Sequence, residues 1–220
     1  EDDFELVEGS VDPDYLQYDL NEWDEYAVEE AVRLAEAGED VETVSVTVGP
    51  ERTGETIRTV LAKGIDRAVR VWDDALADAG VLDVGAKVET LRAVVETEEP
   101  DLVLTGVQAS DDGYSATGVA LASAVGYGWA AVVNDLDMDV GTGVANVRPE
   151  LEGGVEELTD VELPAVLTIQ TGINEPRYAS LRGIRQAQKK PLDVYALGDL
   201  GLDEAVLASP LRWTDTYEPE

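Results

Sequence analysis

Two stretches carry residue types whose spacing points to chemistry. The first is "LVLTGVQASDDGYSATGVALA", Leu102 to Ala122. A short apolar strand runs into a glycine-containing loop and then into a helix whose first turn holds Ser115 and Thr117. Free backbone N–H groups and the helix dipole favour phosphate at such a start, and ligands of open α/β sheets bind beyond the carboxyl ends of strands. Gly113 and Gly118 let the backbone come close to a ligand. The same residues also fit an ordinary strand-to-helix loop, with Asp112 or Ser115 as an N-cap.

The second stretch is "INEPRYASLRGIRQAQKKPLD", Ile173 to Asp193. Arg177, Arg182, Arg185, Lys189 and Lys190 gather five of the chain's 15 basic residues within fourteen positions, although the chain carries 48 acidic ones. Among them stand Tyr178, Leu181 and Ile184. Helically spaced apolar residues usually belong to a core, and cations near a helix end complement its dipole. Neither accounts for the clustering. A basic rim around an apolar anchor is what docking to an acidic partner protein requires.

Other chemistry is pruned by absence. Without Cys there are no disulfides, thiolate nucleophiles or cysteine-held metals, and without His there is no imidazole base. "GTGVAN", starting at Gly141, has Asn146 where the dinucleotide fingerprint needs its third glycine. "DLDMDVG", Asp135 to Gly141, resembles a calcium loop only superficially. Its glycine falls at position seven instead of six, and Asn146 replaces the bidentate Glu at position twelve.

The net charge is -33 over 220 residues, spread along the chain. It repels nucleic acids and anionic membranes. At about 1 M salt the Debye length falls to about 3 Å and the self-repulsion is screened, so the composition predicts a cytoplasmic protein from a high-salt organism. No apolar run approaches the ~20 residues of a membrane span.

These stretches must be positioned by an alternating pattern of helices and strands. "DEYAVEEAVRLAEAG" reads as a helix stopped by Gly38, "VETVSVTVGP" as a strand, "ERTGETIRTVLAKG" as a helix stopped by Gly64 and "RAVRVW" as a strand. "AKVETLRAVVETEEP" is a helix, "DLVLTG" a strand, "SATGVALASAVG" a helix and "WAAVVNDL" a strand. Residues 137–162 read as an antiparallel excursion of two strands around a Glu-Gly-Gly turn. "AVLTIQTG" returns as a core strand, and Ser180 to Gln188 as a short helix before Pro191. The fold class is therefore α/β: a Rossmann-like, mostly parallel sheet with helices on both faces and a hairpin excursion. Residues 1–202 form one nucleotide-binding domain, and 203–220 an extended segment. A hairpin is expected around Asp12-Pro13. A doubly wound sheet normally begins with an apolar strand, and none precedes the first helix, so an initial strand is expected to be missing.

"LPAVLTIQTGINEPRYASLRGIRQAQKKPLD", "YAVEEAVRL", "VTVGPERTGETIRTVLAKGIDRAVRV" and "GVQASDDGYSATG" together resemble the beta subunit of electron transfer flavoprotein, over about Asn21 to Leu202. The resemblance implies an electron-carrier subunit, not an enzyme in its own right. It would pair with a larger alpha subunit that holds most of a shared FAD, with AMP in the beta subunit. Electrons would come from acyl-CoA-type dehydrogenases and pass to a membrane quinone oxidoreductase. Asp112, Gly113, Ser115, Ala116 and Thr117 match the AMP loop, Asn21 and Val48 match positions lining the nucleotide, and Trp23 an aromatic near the flavin edge. Glu150 matches a glutamate that tethers the flavin domain through an arginine of the alpha subunit. Arg177, Tyr178, Leu181, Ile184, Arg185 and Lys189 match the recognition loop, with Leu181 as the inserted anchor.

The chain departs from the family pattern at Ser115 and Ala116, where amide side chains are common, and at Val107, where lysine is common. Relatives that bind a second FAD in place of AMP and bifurcate electrons usually have glycine after the first Asp, whereas Asp111-Asp112 stands here. A bifurcating subunit and a stand-alone adenine-nucleotide-binding stress-type module are the alternatives.

Overall fold

The computed structural model describes residues 6–7, 10–11, 17–38, 40–79, 82–151, 153 and 155–211. Strand β1 (Leu6–Val7) pairs antiparallel with β2 (Ser10–Val11). The expected turn at Asp12-Pro13 lies outside the described residues.

Helix α1 (Glu22–Ala37) opens with Glu22, Asp24 and Glu25 in the first turn, where acidic groups favour the helix dipole, and ends at Gly38. Strand β3 (Val44–Val48) leads through a 3-10 turn into α2 (Gly54–Lys63), which Gly64 terminates at φ +144°, a conformation L side chains rarely adopt. Strand β4 (Arg67–Val71) follows, then α3 (Asp74–Ala79) and α4 (Val84–Glu98), whose N-cap Asp83 accepts from the Ala86 N–H. Next come β5 (Leu102–Gly106), α5 (Thr117–Val125), β6 (Gly128–Asp137), β7 (Val144–Leu151), β8 (Val155–Glu156) and β9 (Thr159–Glu162). Strand β10 (Ala165–Ile169), α6 (Leu181–Ala187) and β11 (Leu192–Tyr195) complete the regular elements.

The strands form a parallel sheet in the order β11-β4-β3 and a mixed sheet in the order β5-β10-β6-β7-β8, with β9 also paired to β7. In the second sheet β5, β10 and β6 are parallel, while β7, β8 and β9 supply the antiparallel excursion. Strand β10 is buried at all five positions. Its period of two sends Leu167 and Ile169 toward Ala27 of α1, and Thr168 toward Gly118 of α5. In the first sheet Ala68 joins the cluster of α2 and α6, while Val69 and Val71 join that of α3 and α4. Helices thus cover both faces, as the alternation of elements predicts.

The excursion has three strands instead of two, because the segment after the Glu-Gly-Gly turn breaks into β8 and β9. A 3-10 turn over Glu204–Leu207 falls within the segment expected to be extended. No helix of the described residues is long and apolar enough to cross a membrane.

Candidate functional site

The first site is assembled where β5 and β10 end. Gly106 closes β5 because α1 sits directly on it: a Cβ there would lie 2.6 Å from the Trp23 Cβ and 3.0 Å from the Asp24 N. The Gly106 N–H donates to Asp24 Oδ1 at 2.7 Å. Asn21 ties the following loop to the start of the same helix. Its Nδ2 donates to the Gln108 carbonyl at 2.8 Å, and its Oδ1 accepts from Ser110 N and Oγ at 3.1 and 2.8 Å. The Trp23 Nε1 donates to Gln170 Oε1 at 3.2 Å, just past β10, and so fixes the indole beside both strand ends.

The loop then folds on itself. Asp112 pairs with Lys87 of α4 and accepts from the Tyr114 N–H at 3.0 Å. Burial raises the Asp112 pKa, but the bonds from Lys87 and Tyr114 outweigh it and hold the carboxyl below its ordinary value. Gly113 and Ser115 both take positive φ, +62° and +52°. The Ser115 hydroxyl donates to Gln108 Oε1 at 2.9 Å. Ala116 is the N-cap of α5 and no side chain caps the helix, so neither Asp112 nor Ser115 fills the role that an ordinary loop would give it. The first-turn N–H groups of α5 therefore keep their capacity for an anion. Gly113 has no heavy atom within 4 Å of where a Cβ would stand, so the space beside the loop is open.

The structure thus brings Asn21, Trp23 and Asp112 to Thr117 together. Val48 ends β3 in the other sheet and packs on the cluster of α3 and α4. Glu150 lies on the solvent side of β7, where Ala145 and Val147 alternate inward, and it pairs across the hairpin with Glu156.

The second site is the loop and helix after β10. Tyr178 is 97% exposed and Leu181 80%, and Ile184, Arg182, Arg185 and Lys189 are also exposed. Ser180 caps α6 by accepting from the Gly183 N–H at 3.0 Å. Arg177 and Lys190 face the fold instead of rimming the anchor. Lys190 Nζ donates to the carbonyls of Leu61, Gly64 and Ile65 at 3.1, 3.2 and 2.5 Å, satisfying the end of α2. Arg177 Nε and Nη2 bond Glu29 at 2.9 Å each, and Nη1 and Nη2 bond Glu36 at 2.6 and 3.0 Å.

Glu29 is only 6% exposed, and burial raises its pKa. Bonds from the Arg177 side chain and backbone N–H more than offset this and leave it below the ordinary 4.5. The Arg177 bonds likewise lower Glu36. A lowered folded value stabilises fully above the unfolded value and is lost as pH falls through the folded one. Protection of the Arg177 amide, which donates to Glu29, is therefore expected to hold at neutral pH and decline below about pH 4; hydrogen exchange at pH 7, 4 and 3 checks this, and unchanged protection at pH 3 would contradict it.

Sequence reasoning passed over Glu25, Glu29, Glu36, Lys63, Lys87 and Gln108 as positioning residues. The four-residue step from Glu25 to Glu29 and the seven-residue step to Glu36 put all three along one stripe of α1, which is a readable signal. Its partners left none, since Lys63 lies 38 positions from Glu25 and Arg177 lies 148 from Glu29 and 141 from Glu36.

Known proteins match this chain over most of its length. The sequence profile of the electron transfer flavoprotein domain matches residues 9–200. The chain is 48% identical to electron transfer flavoprotein subunit beta of Methylophilus methylotrophus, over 100% of this chain and 84% of that one. It is 40% identical to the Bos taurus subunit beta, over 94% of this chain and 78% of the relative, and 36% identical to the mitochondrial subunit beta of Arabidopsis thaliana, over 95% and 80%.

Proposed function

Since the chain belongs to the electron transfer flavoprotein family, as a beta subunit, we propose that it scaffolds a heterodimeric electron carrier, receiving electrons from acyl-CoA-type dehydrogenases and delivering them to a membrane quinone oxidoreductase. Bound FAD, shared with the alpha subunit, would supply the redox chemistry. This chain's residues bind, position and dock. Asn21, Asp112, Gly113, Ser115, Ala116 and Thr117 form the cradle for structural AMP, with the phosphate on the uncapped start of α5, and Trp23 stands near the edge of the flavin ring. Val48 lines the nucleotide from the end of β3. Asp111-Asp112, in place of an Asp followed by glycine, favours AMP over a second FAD and hence a carrier over a bifurcating subunit. Work in the cytoplasm at high salt accords with the net charge of -33.

The observation that carries the docking role is the exposure of Tyr178 and Leu181, at 97% and 80%, on a segment ringed by Arg182, Arg185 and Lys189. Large apolar side chains displayed together and rimmed by charge fit a partner surface. High salt screens the rim, so Leu181 is the anchor that remains.

Glu150, exposed on β7, tethers the flavin domain of the alpha subunit through an arginine. In a heterodimer reconstituted with the alpha subunit, Glu150→Ala should leave assembly and flavin content intact and change the electron-transfer rate several-fold, a tether worth about 1 kcal/mol. Stopped-flow reduction reads this out. An unchanged rate would remove Glu150 from the tether, and failure to assemble with any alpha subunit would remove the proposed function itself.

A further inference from the structure

The loop before α6 is bolted to α1 far more heavily than a surface loop needs. The Arg177 guanidinium bridges Glu29 and Glu36, and its own backbone N–H donates to Glu29 Oε2 at 3.0 Å. Lys63, itself buried, donates to the Arg177 carbonyl at 2.9 Å and to Glu25 Oε1 at 3.0 Å. Asn174 Nδ2 reaches the Tyr26 carbonyl at 3.0 Å and Glu30 Oε1 at 2.9 Å. On the far side of the anchor, Arg58 Nη1 donates to the carbonyls of Ala187 and Lys190 at 2.6 and 2.8 Å. Gly183 lies against the Ala62 carbonyl, so any side chain there would push α6 off α2.

These bonds tie the loop to α1 and α2, yet the segment between them holds Tyr178 and Leu181 in solvent. Loops are ordinarily the mobile parts of a fold, and ordering one on binding costs affinity. We infer that the Glu29–Arg177–Glu36 clamp, with Lys63, positions the docking loop so that Leu181 is presented to the partner already in its bound place. Arg177 is then a positioning residue that acts through Leu181. Two carboxylates holding one guanidinium through its planar fork is an arrangement lysine cannot reproduce. Because Glu29 is buried, the clamp is screened by salt less than the exposed cations are.

The inference rests on the docking role proposed above, and one set of measurements separates the two. KM for the flavoprotein and the limiting rate are determined with a reduced acyl-CoA-type dehydrogenase, using reconstituted heterodimers that carry Arg177→Gln, Leu181→Ala or both. Arg177→Gln is expected to raise KM about tenfold at unchanged limiting rate and flavin content, and to add little once Leu181 is alanine. If Leu181→Ala raises KM and Arg177→Gln does not, docking stands and the clamp is overturned. Effects that multiply fully in the double variant, or a loss of flavin and rate at unchanged KM, also overturn it. An inert Leu181→Ala sinks the docking role and the clamp with it. Should Arg177→Gln fail to fold, Glu36→Gln removes only the exposed half of the clamp and is expected to raise KM about threefold; an unchanged KM overturns the inference.

Discussion

Leu181→Ala is expected to weaken docking to the dehydrogenase by about 2 kcal/mol, or about 30-fold in affinity, while flavin and nucleotide content stay at their original level. The magnitude follows from the side chain's position. Leu181 is 80% exposed at the first turn of α6, so truncation removes nothing from the core and should barely move thermal stability. Its whole cost falls on the complex. Arg185→Gln or Lys189→Gln should cost far less, because exposed charges at a rim contribute about 0–1 kcal/mol and less still in salt. Surface-plasmon or kinetic titration against the dehydrogenase would read all three. An order in which the charge variants lose more than Leu181→Ala would place the recognition in electrostatics and contradict an apolar anchor.

Gly118→Val should have the second large effect, on the nucleotide. A Cβ at Gly118 would meet Thr105 Oγ1 at 2.5 Å and Thr168 Cγ2 at 2.6 Å. Both threonines sit on strands of the central sheet and are stiff at χ1, so neither can yield. The start of α5 must therefore lift off the sheet, and Ser115 to Thr117 move with it. Overpacking of this kind costs about 1–3 kcal/mol, and an angstrom of displacement at the cradle would cost most of the phosphate binding. Chromatography of the nucleotide released on denaturation should show AMP nearly absent, and Tm should drop by several degrees, on the order expected for such a loss in a domain of this size. Full AMP occupancy with an unshifted Tm would show that the close packing of α5 does not shape the site.

Much of this organisation could be read in the sequence, for reasons that particular residues make plain. Gly38 and Gly64 mark the stops of α1 and α2, and the run of Ala165 to Ile169, apolar at every position but Thr168, suits a strand buried on both faces. Short elements were less legible. Strand β11 follows Pro191, and its half-exposed residues lack a clean alternation, while α3 spans only six residues. Within the loop before α5, the choice between a capped and an uncapped helix start turns on whether Ser115 bonds forward or back. It bonds back to Gln108, which spacing alone does not decide.

The cation cluster shows the limit most clearly. Arg177 and Lys190 look in sequence like Arg182 and Lys189. Two of the four turn inward to partners distant in sequence, Arg177 to Glu29 at 148 positions and Lys190 to Leu61 at 129. The sequence shows the density of charge, but which of these cations turn inward is decided by the tertiary fold.

The most direct test of the central claim is a count. The chain is co-expressed with an electron transfer flavoprotein alpha subunit, and the FAD and AMP released from the purified complex are quantified against protein. A carrier with a structural nucleotide in this subunit predicts one FAD and one AMP per heterodimer. Two FAD and no AMP, or a stable homodimer that ignores the alpha subunit, would contradict it.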